Sequence, residues 1–60
     1  MRVYVNQIPV DLLPGMKVKH ALIGAGLLKE IERQKKVYDE WENEIGLEGA
    51  LFEGMRIEIK

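Results

Sequence analysis

Residues 51–60 read LFEGMRIEIK. Glu53-Gly54 is a turn dipeptide, and beyond it Met55, Ile57 and Ile59 alternate with Arg56, Glu58 and Lys60. A period of two sends one set of side chains to a buried face and the other to water, so the stretch predicts a half-buried strand running to the last residue. The same period opens the chain. Val3 and Val5 alternate with Arg2 and Tyr4, and Asn6-Gln7 follows as a turn, since Asn tolerates a positive φ. Ile8, Val10 and Leu12 then alternate with Pro9 and Asp11. Two such runs across a two-residue turn predict a β-hairpin. Pro9 has no amide hydrogen to give a neighbouring strand, which assigns the second strand to a sheet edge.

Leu13-Pro14-Gly15 breaks this pattern, and from Lys17 the period changes. Val18, Ala21, Leu22 and Ala25 fall at helical spacing, with Lys17, Lys19 and His20 on other faces. Gly24 and Gly26 each cost a helix about 1 kcal/mol, so the helix is expected to end near them. Leu27, Leu28 and Ile31 allow a further turn or two, and residues 17–34 read equally as one bent helix or two short ones. Val37, Tyr38 and Trp41 favour a strand. Its facing is open, because Val37, Asp39 and Trp41 compete with Tyr38 and Glu40. Asn43 suggests a turn and residues 45–47 a very short strand, after which a tight turn at residues 48–51 is expected to plug Leu51 and Phe52 into the core.

The order is strand, strand, helix, strand, short strand, strand. It predicts an α+β domain over residues 1–60, with the helix on one face of a mixed sheet of four or five strands. The first and last strands, which no tight hairpin can join, are expected side by side at the centre. That is the arrangement of a β-grasp (ubiquitin-like) domain.

Composition narrows the chemistry. A 60-residue chain buries only about 60% of its unfolded surface, so stability of a few kcal/mol is expected. With no cysteine it has neither disulfides nor thiolate metal ligands, and its 47% hydrophobic content must supply the core. No stretch approaches the roughly 18 apolar residues of a membrane span, and the first ten residues lack the pattern of a secretory leader. A cytoplasmic protein with a native start at Met1 is the resulting expectation. Charge is unevenly spread: residues 17–36 carry a net +4 and residues 37–60 a net −5. Such asymmetry either steers a partner or marks two solvated faces.

VYVNQIPVDLLPGMKVKHAL (residues 3–22) resembles the hairpin-then-helix opening of the small sulfur carriers of thiamine and molybdopterin biosynthesis. Asn6 matches their Asn-Gly turn, Gln7 stands where they have glycine, and Lys17-Val18 takes the place of their helix start. GALFEGMRIEI (residues 49–59) is similar to their closing turn and strand, with Leu51, Glu53-Gly54, Met55 and Ile57 matching in kind. The closing pattern also resembles RNA-associated TGS domains. The resemblance implies a β-grasp fold. Sulfur carriers act through a flexible tail ending Gly-Gly, whereas this sequence stops at Lys60, so sulfur transfer is not expected of the chain as given. A carrier whose tail is absent from this chain and a TGS-like module remain alternatives.

No nucleophile–base set surrounds His20, the single histidine, which reads as a residue at the apolar boundary of the helix. Asp39, Glu40, Glu42 and Glu44 follow no metal-loop pattern. Gly24-Ala25-Gly26 follows a helix rather than a strand, which fits a helix end better than a phosphate loop. Lys17, Lys19, Lys35 and Lys36 form a candidate basic patch, but no aromatic residues are interleaved with them and the protein is net acidic. If Val3, Val5, Ile57 and Ile59 face the helix, Arg2, Tyr4, Arg56 and Glu58 share the opposite face. Tyr and Arg anchor many interfaces, so these four are the candidate partner-binding residues, with Trp41 as a second anchor. The expected function is non-enzymatic, a protein–protein interaction module binding a protein partner or itself. No catalytic residue, metal, cofactor, membrane or nucleic acid is called for.

Overall fold

The computed structural model describes all 60 residues of the backbone and every side chain except that of Glu32. Its elements are β1 (Arg2–Val5), β2 (Ile8–Asp11), α1 (Val18–Ala25), α2 (Leu28–Glu32), β3 (Val37–Asp39), β4 (Glu44–Ile45) and β5 (Arg56–Ile59). The five strands form one mixed sheet in the order β2-β1-β5-β3-β4. β1 and β5 run parallel at its centre, and all other neighbours are antiparallel. The fold is therefore α+β, with the terminal strands paired as the order of elements leads one to expect.

The β1–β2 turn is closed by Asn6 and Gln7, both with positive φ (49° and 71°). A two-residue hairpin of this hand matches the twist of its strands and needs such angles at both positions. Asn6 also reaches β5. Its N–H donates to the Ile57 carbonyl (3.0 Å), and its Oδ1 accepts the Ile59 N–H (2.9 Å). The side chain thereby supplies one more rung of the parallel ladder after β1 has turned away. Pro9 lies on the edge strand, opposite Tyr4. Met1 and Leu12 exchange both backbone bonds beyond the strand ends. By alternation Ile8 and Val10 bond to β1, whereas Pro9 and Asp11 turn their backbone groups outward.

Residues 17–34 form two helices rather than one. Gly26 adopts φ +73°, and the Leu27 N–H donates back to the Leu22 carbonyl (2.8 Å), a left-handed stop that glycine makes without a Cβ clash. At the other end of α1, loop carbonyls serve the exposed amides: Val18 N–H donates to Gly49 and Lys19 N–H to Leu47. Gly24 is required by packing. A Cβ there would sit 2.7 Å from Val10 Cγ1, so its absence lets α1 lie against the hairpin.

The core comprises Val3, Val5 and Val10 from the hairpin, Val18, Ala21 and Leu22 from α1, Val37 from β3, and Met55, Ile57 and Ile59. Three sequence expectations need correction. The third strand ends at Asp39, because the Asp39 carboxylate folds onto the N–H groups of Trp41 and Asn43 and starts a turn. Phe52 does not plug the core; it is 49% exposed, and only Leu51 packs inward. Ile8 is likewise 42% exposed at the hairpin tip. The facing of β3 resolves with Val37 inward and Tyr38 outward, since Tyr38 pairs with Glu58.

Candidate interaction face

Alternation along the central strands builds a sheet face that neither helix covers. Val3, Val5, Ile57 and Ile59 are buried beneath α1, which leaves Arg2, Tyr4, Arg56 and Glu58 on the opposite side. The register brings them together: Tyr4 is paired with Arg56 across the parallel ladder. The Arg56 guanidinium lies over the Tyr4 ring, 5.0 Å from its centroid. The ring offers a negative π face to the cation, so the pair holds a flat aromatic and a fixed donor fork side by side.

At the hairpin end, Arg2 grips Asp11 with two bonds, Nε to Oδ1 (2.8 Å) and Nη2 to Oδ2 (3.2 Å). That hydrogen bonding, reinforced by the guanidinium charge, holds the Asp11 carboxyl below its usual value. At the other end a second stack appears. Lys60 Nζ sits 5.4 Å from the Tyr38 ring centroid, donates to Glu42 (3.0 Å) and lies 3.9 Å from Glu58. The Glu42 hydrogen bond keeps the Lys60 ammonium above its usual value. Lys36 pairs with Glu44 at 3.7 Å on the same side. Among the described residues, Arg56 is the cation of this face without a carboxylate partner.

Trp41 stands apart from the strands, in the turn between β3 and β4, and is 66% exposed. The lysines proposed as a basic patch are largely neutralised within the chain. Lys19 bonds Glu48 (2.7 Å), Lys35 pairs with Glu30 (2.9 Å) and Lys36 with Glu44, while Lys17 precedes α1. Two of these pairs join the positive segment to the negative one, so much of the charge asymmetry cancels in the fold. The Glu30 and Glu48 carboxyls are held below their usual values, each first by the hydrogen bond from its lysine. His20 is used structurally: its Nδ1 accepts the Lys17 N–H (2.8 Å) at the start of α1, which fixes the neutral ring's proton on Nε2.

Tyr38, Lys60 and Glu42 join the face although sequence reasoning did not select them. Their signal was the register of β3 on β5, which requires the facing of Tyr38 to be known. A second surface is apolar. A groove of about 380 Å³ runs between the β2–α1 connection and α1, lined by Leu12, Leu13, Met16, His20, Ile23 and Gly24.

Compared with protein-family models, curated proteins and solved structures, the chain matches none.

Proposed function

We propose that this protein is a non-enzymatic β-grasp module that works by protein–protein contact through the uncovered face of its sheet. The fold reading rests on the strand order β2-β1-β5-β3-β4 with a central parallel pair of terminal strands and the helices on one side. The functional reading rests above all on Arg56. It is an exposed guanidinium stacked on Tyr4 and flanked by paired charges, with no carboxylate partner among the described residues. A planar donor fork supported by an aromatic ring is suited to a carboxylate that another molecule brings.

The edges of the sheet fit this role less well. Pro9 removes a donor from the free edge of β2, and β4 is two residues long, so strand addition has little template at either side. The RNA-associated reading draws no support from lysines that already hold carboxylates. A carrier reading requires a Gly-Gly tail beyond Lys60, and the intact mass of the native protein distinguishes it.

The test is capture of partners from a lysate by immobilised protein, compared with Tyr4→Ala, Arg56→Glu and, as a control in the apolar groove, Ile23→Lys. The expected result is loss of capture with the two face variants and retention with the control. Retention with Arg56→Glu and loss with Ile23→Lys would transfer the function to the groove.

A further inference from the structure

Arg56 and Glu58 occupy the same face of β5, two residues apart, which puts their Cα atoms about 6.8 Å from one another. They do not pair with each other. Arg56 leans onto Tyr4 on one side, and Glu58 has only a 3.9 Å contact with Lys60, whose short bond goes to Glu42. Among the described residues, each chain thus presents one unpaired cation and one weakly held anion in a row, on the central axis of an open sheet.

Such a row is complementary to itself. We propose, building on the interaction face described above, that the occupant of this face is a second copy of the chain. The two sheets pack face to face about a two-fold axis that lies in the plane midway between them, perpendicular to β5 and level with Ile57. That operation sets Arg56 of each copy against Glu58 of the other, so one residue pair makes two ion pairs, as an isologous contact requires. Tyr4 and Tyr38, on the strands flanking β5, supply apolar area on either side of the two charges. The remaining cations of the face carry their own carboxylates, so the two faces approach without net repulsion.

The size of the face sets the strength. Five strands at about 4.8 Å spacing and four residues at about 3.4 Å make a patch of roughly 19 by 14 Å. Two such patches cover roughly 500 Å² in total, below the range of stable specific interfaces. The dimer is therefore a transient one, forming at high micromolar to millimolar concentration.

The experiment is a dilution series of backbone-amide NMR spectra from about 1 mM to about 10 µM, a range that brackets such affinities. The expected result is a concentration-dependent set of shifts centred on Tyr4, Tyr38, Arg56 and Glu58. Arg56→Glu and Glu58→Arg are each expected to abolish it by placing like charges opposite one another. An equimolar mixture of the two variants restores it, because position 56 of the first then faces position 58 of the second with opposite sign, and the native Glu58 of the first still meets the native Arg56 of the second. The doubly exchanged chain restores it as well. Unchanged core methyl shifts establish that every variant is folded.

A wild-type spectrum that does not change up to 1 mM overturns the proposal, as do shifts confined to the groove at Leu13 and Ile23. If the wild type stays monomeric while Arg56→Glu still abolishes capture of a different protein, the second copy is rejected and the interaction face stands. If neither response depends on Arg56, both readings fall.

Discussion

The two faces of the sheet are built from alternate residues of the same strands, yet they obey different rules. On the helix side β1 and β5 present Val3, Val5, Ile57 and Ile59, all buried, and no buried polar or charged residue is found among the described residues. On the open side the same strands present Arg2, Tyr4, Arg56 and Glu58, held by ion pairs and ring stacking. Apolar burial is non-directional and strong per residue, whereas exposed pairs contribute little to stability and much to orientation. The first face is therefore where stability is set, and the second is free to serve recognition.

Neighbouring residues on β5 give the sharpest contrast. Ile57 is 1% exposed at the centre of the core. Ile57→Ala removes three methyl or methylene carbons from a packed site and is expected to destabilise by about 3 kcal/mol. A domain of this size has little more than that in total, so a largely unfolded population at 25 °C is expected in urea titration. Glu58→Ala, one residue along and on the other face, is expected to shift stability by no more than about 0.5 kcal/mol. Equal effects at the two positions would mean that the open face is packed against something.

The hairpin turn couples the two faces and comes next in size. Asn6→Ala loses the acceptor for the Ile59 N–H and places alanine at φ 49°, for an expected cost of about 1–2 kcal/mol. Asn6→Asp keeps an acceptor there and is expected to retain most of that stability. Gln7 tests the same turn with the opposite sign. Its φ of 71° is one that glycine adopts without steric cost, so Gln7→Gly is expected to stabilise by about 0.5–1 kcal/mol, net of the flexibility glycine adds to the unfolded chain. A rising denaturation midpoint checks it.

The central strands, the hairpin and the break at residues 24–26 were legible because their signals are local: a period of two, an Asn turn, a glycine at the helix end. Arg2, Tyr4, Arg56 and Glu58 were legible for the same reason, since once Val3 and Ile57 are turned inward the others follow. β3 was not, because Asp39 lies on the inward side of the pattern with Val37 and yet spends its carboxylate on turn amides at the strand's end. With β3 ambiguous, Tyr38 was not placed and the Lys60–Tyr38 stack was invisible. Phe52 misled for a related reason: hydrophobicity says that a side chain gains by burial, but only the turn geometry decides whether it reaches the core. The cancelling of the lysines by Glu48, Glu30 and Glu44 depends on loop placement, which a charge count along the chain does not contain.

Acid separates the two faces with the smallest effect. The Asp11 carboxyl on the open side and the Glu48 carboxyl beside α1 both sit below their usual values because Arg2 and Lys19 hydrogen-bond the charged form. A carboxyl lowered in the folded state adds stability above its unfolded pKa of about 4, and that contribution is lost as pH falls through the lower folded value. Denaturation midpoints are therefore expected to hold down to about pH 5 and to fall below it, through the lowered folded values, and Asp11→Asn is expected to reduce that fall without reversing it. Both groups are exposed, so the change is expected to be modest and to shrink in high salt. The buried core residues Val3, Val5, Ile57 and Ile59 carry no ionisable group, and unfolding at about pH 3 is expected to stay cooperative, with core methyl shifts unchanged. Loss of that cooperativity in acid would show that the charged face contributes to holding the sheet together, against the division of roles between its two sides.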